Sequence, residues 1–303
     1  MIFHDFMAGW GWVILSLIAA VFLAGFYLVN QYLRQPGHIL VFWVRVLVVI
    51  FLSPLISRLS LPTDWHFYAA VLLTVLVATF ADIRTFNVSA KYGGGVVARV
   101  QPVTVWGAFL LWFLFDPQLI TQYLSHPWNT AGILAALGGC VFFSMRLNKC
   151  QVTRAAMIEM APALVGYTFT TVLNKYALSH ATLESGVYSY MFVQSVFAAV
   201  IIGIYAMIRA KYYPVAGSTT GWVTKPMLAA TLLATFTWIC HMTYKNYAMA
   251  FTPNPSFQAA LLLTAPVFIS IFYHFARHKE EGDVKSGMGI VACALLLALM
   301  TVR

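Results

Sequence analysis

The sequence predicts an all-α membrane protein of ten transmembrane helices, arranged as two inverted five-helix repeats. Three observations carry that prediction: a composition too apolar for water, ten apolar runs long enough to cross a bilayer, and paired motifs that recur in the same order in both halves. Of the 303 residues, 61% are hydrophobic and only 9% are Asp, Glu, Lys or Arg. A soluble domain carries about 25% charged residues, so this chain cannot coat a water-facing surface, and a cytoplasmic globular enzyme is excluded.

Taken in order, the apolar runs are 10–33, 39–57, 66–90, 94–115, 129–147, 156–178, 187–208, 226–250, 256–276 and 286–302, each bounded by Pro, Gly or charge. Each can cross a hydrocarbon core of about 30 Å as a helix rising 1.5 Å per residue. Helices are preferred over strands because the runs lack the alternation of a membrane barrel, and lipid tolerates only closed barrels and helices. The first run follows Met1-Ile2-Phe3-His4-Asp5 without a basic leader or a small-residue cleavage site, so it reads as a retained helix. The third ends on the polar residues Asp82, Arg84, Asn87 and Lys91, and the fourth and ninth follow turns at Gly93-Gly94-Gly95 and Pro253-Asn254-Pro255. Connections are short, the longest being 209–225, and no soluble domain is attached.

The halves resemble each other. Asn30 and Tyr32 close the first span as Asn174 and Tyr176 close the sixth; the third and eighth end on Phe86-Asn87-Val88 and Lys245-Asn246-Tyr247. Gln101-Pro102-Val103 in the fourth matches Ala265-Pro266-Val267 in the ninth. The order is preserved, so the halves divide at about 1–150 and 151–303, and five spans each force the second to lie upside down. Inverted repeats are a signature of alternating-access transporters.

With Gly94-Gly95-Val96-Val97-Ala98-Arg99-Val100-Gln101-Pro102-Val103-Thr104 in the fourth span and Gln258-Ala259-Ala260-Leu261-Leu262-Leu263-Thr264-Ala265-Pro266-Val267-Phe268 in the ninth, the whole chain resembles the EamA-type members of the drug/metabolite transporter superfamily. The resemblance implies a cavity between the halves, lined by the first four spans of each, with the fifth and tenth peripheral. It also implies export or exchange of metabolites such as amino acids, sugars or nucleotide-linked compounds. One departure stands out: such members place Gly-Glu just after the fourth and ninth spans, whereas this chain has Phe115-Asp116-Pro117 and His278-Lys279-Glu280. Subfamily is therefore open.

Eighteen basic against nine acidic residues give a net charge of +9. In a chain of many spans that surplus marks basic cytoplasmic loops, not nucleic-acid binding. Eleven basic residues follow the odd-numbered spans, against Arg58 and Arg303 on the other side, with Lys175 and Lys245 near span ends there. The count places both termini outside the cytoplasm, whereas the resemblance implies both inside; the charge ratio is given the greater weight. The expected location is a bacterial inner membrane, crossed many times. The oligomeric state is open, and a monomer is compatible with the reading.

An ionisable side chain at mid-bilayer costs about 2.5–3.5 kcal/mol on insertion scales, so each needs a reason. Arg45 lies roughly 9 Å into the second span, Arg84 a similar distance before the end of the third, and Arg99 about 8 Å into the fourth. Asp82 and Glu159 fall at comparable depth. Together they predict a net-positive vestibule that holds a carboxylate or phosphate through forked guanidinium contacts; singly, each arginine could instead snorkel or neutralise an acid. Asp82 and Arg84, two apart on a helix, face different ways. Pro102 and Pro266 mark interrupted helices at matching positions, expected to line the path as hinges or kinks. Asn30 and Asn174 can contact substrate or join helices. Trp43, deep in its span, can stack on a ring or amine. His241 can relay a proton or bond a neighbouring helix.

No catalytic residues are expected: the chain lacks GxSxG, HExxH and a Walker loop. Nor is a cofactor or metal expected, since His274 and His278 share a helix face without an acidic or Cys partner nearby, and Cys140, Cys150, Cys240 and Cys293 form no CxxC pair or disulfide framework. The expected function is a secondary transporter of a small polar or amphipathic metabolite with an anionic group. The alternative is a flippase for a lipid-linked anionic head group such as a polyprenyl phosphate or lipid-linked sugar. Partners are thus a small-molecule or lipid-linked substrate and the lipid bilayer.

Overall fold

The computed structural model describes residues 7–33, 37–59, 61–92, 100–147, 153–212, 224–275 and 283–301, and among these every regular element is helical. A π turn (Met7–Gly11) leads into α1 (Trp12–Leu33), followed by α2 (Gly37–Ile56) and α3 (Trp65–Tyr92). A 3-10 turn (Gln101–Val103) continues into α4 (Thr104–Trp112), then come α5 (Gln118–Ser125) and α6 (Pro127–Leu147). The remainder comprises α7 (Arg154–Ser179), α8 (Leu183–Tyr212), α9 (Lys225–Phe251), α10 (Pro255–Leu262), α11 (Ala265–Phe275) and α12 (Val284–Thr301).

Nine segments among the described residues are long and apolar enough to cross a membrane, α10 and α11 together making one of them. Of the expected fourth span, 94–115, the described part from Val100 forms the 3-10 turn and α4 and is not one of the nine, and residues 94–99 lie outside the described residues. The helix α5 stands where the sequence reads as a connection between spans; its start follows Pro117, whose fixed φ suits a helix N-terminus. Starts elsewhere are written locally. Thr153 and Thr224 accept from the amides of Ala156 and Met227 (both 3.2 Å), and Asn254 accepts from Ser256 (3.0 Å), each satisfying a donor that the first helical turn leaves open.

The distribution of side chains is that of a protein solvated by lipid. Leu114 is 76% exposed, and Leu110, Phe142, Ile158, Met207, Phe236 and Leu299 are exposed too. Buried positions meanwhile hold Ser16, Thr74, Ser144, Ser189, Gln194, Ser195, Thr235 and Asn246 beside many alanines. In water this arrangement would be unstable; in a bilayer small and polar residues belong at helix contacts and large apolar ones outside. The protein is an all-α, multi-pass membrane protein.

Four helices before residue 150 find their main partners after residue 153: α1 on α9, α2 on α8, α3 on α7 and α6 on α12. Three of these pairs are visibly antiparallel. Along α1 and α9, Ala19 meets His241 and Gly25 meets Thr237. Along α3 and α7, Thr85 meets Met160 and Ala81 meets Gly166, while Asp64, just before α3, meets His180 beyond the end of α7. Along α6 and α12, Gly132 meets Met300 and Cys140 meets Ile290. A Cβ on Gly166 would sit 3.1 Å from Ala81 Cβ and 3.2 Å from Val77 Cγ1, so glycine is what lets α7 approach α3 so closely.

Candidate functional site

Arg45 lies buried on α2, which packs against α8 and α9. The Arg45 side chain is only 8% exposed and lays its guanidinium over the indole of Trp238 on α9, 4.3 Å from the ring centroid. That contact offsets part of the cost of a buried cation. Nε and Nη1 have no hydrogen-bond partner among the described residues. Guanidinium donors in a dry setting are expensive to leave without an acceptor.

Charged and phenolic groups converge on it from other helices. Asp82 of α3 and Tyr190 of α8 lie within electrostatic reach of Arg45, and Lys245 of α9 within reach of both Arg45 and Asp82. The Tyr167 hydroxyl of α7 donates to Asp82 Oδ1 (2.8 Å) and lies 3.0 Å from Thr85 Oγ1. Tyr27 of α1 hydrogen-bonds the side chain of Gln101 and senses the charge on Asp82. Tyr190 hydrogen-bonds the side chain of Thr74. Although these groups face one another, Tyr27 is 40% exposed and Asp82, Tyr167 and Lys245 are half-buried. The cluster thus draws on six helices: Tyr27 from α1, Arg45 from α2, Asp82 from α3, Tyr167 from α7, Tyr190 from α8 and Lys245 from α9.

The helix seams fix that geometry. Close approach at Gly166 brings Tyr167 to Asp82, since the two residues are neighbours in the same seam. On α9, Trp238, His241 and Lys245 follow one another at spacings of three and four, which places them on one stripe of the helix. His241 Nδ1 is 2.9 Å from the Ala19 carbonyl, which can only accept, so the proton is on Nδ1 and the imidazole joins α9 to α1. Asn174 Nδ2 donates to Asn246 Oδ1 (3.2 Å), and Lys175 Nζ donates to the carbonyls of Met249 (2.8 Å) and Ala250 (3.1 Å), closing the C-terminal turn of α9.

The residues singled out from sequence thus divide. Arg45 and Asp82 come within electrostatic reach of each other, His241 sits in the α1–α9 contact, and Asn174 sits in the α7–α9 contact. Arg84 points away, its guanidinium 5.6 Å from the ring of Phe80 one turn earlier on α3, where Phe80 is exposed. Glu159 forms an ion pair with Lys91 and accepts from the Tyr92 hydroxyl (3.1 Å), which ties the end of α3 to the start of α7. Trp43 packs edge-on against Phe42 at 5.3 Å. Arg99 and the side chain of Asn30 lie outside the described residues. Pro102 is buried in the 3-10 turn before α4, and Pro266 follows the break between α10 and α11. Pro54 and Pro162 lie inside α2 and α7, which continue through them; the sequence analysis does not single them out.

Tyr27, Tyr167, Tyr190 and Lys245 were not anticipated. For Lys245 a signal existed, because its spacing from Trp238 and His241 marks one face of a helix. The tyrosines carry no such mark in a chain with many aromatics. Compared with known proteins, the chain matches no family model and no curated sequence.

Proposed function

We propose that the protein is a secondary transporter that moves a small polar or amphipathic metabolite with an anionic group by alternating access. The single observation that carries this reading is the buried Arg45 guanidinium, two of whose nitrogens have no hydrogen-bond partner among the described residues, within electrostatic reach of Asp82 and Lys245, with Tyr27 and Tyr167 beside Asp82. With Arg45, Lys245 and Asp82 ionised the cluster sums to +1, which one added negative charge neutralises. Trp238 and the tyrosines offer apolar faces to the rest of a solute.

The mechanism needs two bodies that rock about this cluster. Ten spans in two inverted halves, 1–150 and 151–303, supply them. Supporting that division, the helix pairings survive exchange of the halves: the first helix of each packs on the third of the other, the second on the second, and the fifth on the fifth. The cluster also straddles the division, with Tyr27, Arg45, Asp82 and Gln101 from one side and Tyr167, Tyr190, Trp238 and Lys245 from the other. Membership of the EamA-type transporters and a bacterial inner membrane are part of the same proposal.

Ligand-dependent thermal stability of the purified protein tests it. Among probes comprising succinate, glutamate, glycerol phosphate and a short-chain polyprenyl phosphate, at least one raises the melting temperature, because a ligand that binds only the folded state stabilises it by about 2.7 kcal/mol at a hundred times its Kd. Arg45→Gln abolishes that rise, while Arg154→Gln, at the exposed start of α7, leaves it intact. A response confined to the lipid-linked probe would identify a flippase. An undiminished response in Arg45→Gln would refute the site.

A further inference from the structure

A second polar cluster lies at a helix end, apart from Arg45. Asp64 immediately precedes α3, His66 stands in the first turn of α3, and His180 lies just past the end of α7. Asp64 Oδ1 is 2.8 Å from His66 Nδ1, and Oδ2 is 2.7 Å from His180 Nδ1. The two imidazoles stack, with centroids 5.0 Å apart and planes at 23°. The ligand-type atoms of all three residues fall within 4.8 Å of one another.

Capping explains only part of this. The His66 amide donates to Asp64 Oδ1 (2.9 Å), so one carboxylate oxygen serves the open N-terminus of α3. That role requires neither imidazole. Here two of them, separated by 114 positions in the chain, turn the same ring nitrogen towards the same carboxylate. Donated hydrogen bonds from the His66 amide and then from both rings hold the Asp64 carboxyl down at about 2, so it is an anion at neutral pH.

We propose that Asp64, His66 and His180 form a binding site for a divalent transition metal of the Zn2+ type. Two imidazole nitrogens and one carboxylate oxygen suit zinc and its neighbours, whereas Mg2+ and Ca2+ prefer all-oxygen shells. A tetrahedral ion with bonds near 2.0–2.1 Å sets its ligand atoms about 3.3 Å apart. The three residues reach that spacing by small side-chain shifts, each ring moving its proton from Nδ1 to Nε2 as Nδ1 takes the metal. All three are half-buried, so an ion reaches them from solvent and water completes the shell. Bound metal clips the start of α3 to the end of α7. The site stands whether or not Arg45 binds a substrate.

The test uses the full chain in detergent, stripped with a chelator and then titrated with Zn2+ or Mg2+. Melting temperature is one readout; the fluorescence of Trp65, whose ring lies 4.0 Å from that of His66, is the other. Zn2+ raises the melting temperature and Mg2+ does not. The rise is lost in His180→Asn and in His66→Asn, whose amides still donate a hydrogen bond to Asp64 and so keep the cap, and it persists in His274→Asn, which alters an exposed histidine elsewhere. No Zn2+ response in the unaltered protein, or an equal response in the double variant His66→Asn/His180→Asn, overturns the site.

Discussion

At the scale of single residues, Arg45 poses the sharpest energetic question. Placing an arginine at mid-bilayer depth costs about 2.5–3.5 kcal/mol on insertion scales, and no hydrogen bond to Nε or Nη1 repays it. Trp238 returns part through the guanidinium–ring contact, worth about 2 kcal/mol when desolvated, and Asp82 returns more through the field between opposite charges. That balance predicts coupling. Asp82→Asn destabilises the protein, and in an Arg45→Gln background the same change costs less, with an interaction energy of about 1 kcal/mol in a double-mutant cycle measured by unfolding in detergent. Strict additivity would show that Asp82 answers to Tyr167 alone. The sequence marked Arg45 and Asp82 by their cost in an apolar run, yet it could not separate Arg45 from Arg84. Both are arginines at similar depth, and only the packing turns one inward and lays the other along its own helix.

At the scale of elements, the seams between helices decide what the side chains can do. Gly166 sets the separation of α3 and α7, and Tyr167 reaches Asp82 because that separation is small. Gly166→Val therefore forces the helices apart, costing about 1–3 kcal/mol by overpacking. It also diminishes any anion-dependent rise in melting temperature, although residue 166 does not touch the guanidinium; a variant that loses stability but keeps the full ligand response would break the link between seam and site. The interrupted helices were legible for the opposite reason. A proline has no N–H and fixes its own φ whatever surrounds it, so Pro266 announces the α10–α11 break from sequence. Pro54 and Pro162 lie within helices that continue through them, and their effect depends on neighbours that sequence does not name.

At the scale of the whole molecule, the inside and outside of the bundle are assigned by lipid. Phe236 is 60% exposed in the middle of α9, whereas Trp65 is 67% exposed at the start of α3. Replacing each with lysine separates the two environments. Phe236→Lys loses membrane-integrated protein by an amount equivalent to about 2.5–3.5 kcal/mol, while Trp65→Lys, near the interface, is tolerated because the amine reaches the head groups; equal membrane yields would contradict a lipid-facing position for Phe236. By itself the sequence determined the solvent, the helical class and nearly all the span positions, because backbone groups in hydrocarbon must bond within their own helix and so tie each span to its own apolar run. Tertiary structure alone decided which polar groups meet: Arg45 with Trp238, Asp82 with Tyr167, and Asp64 with His180. Each of those meetings joins residues far apart in the chain, and the angle and distance of helix packing, which no local pattern encodes, bring them together.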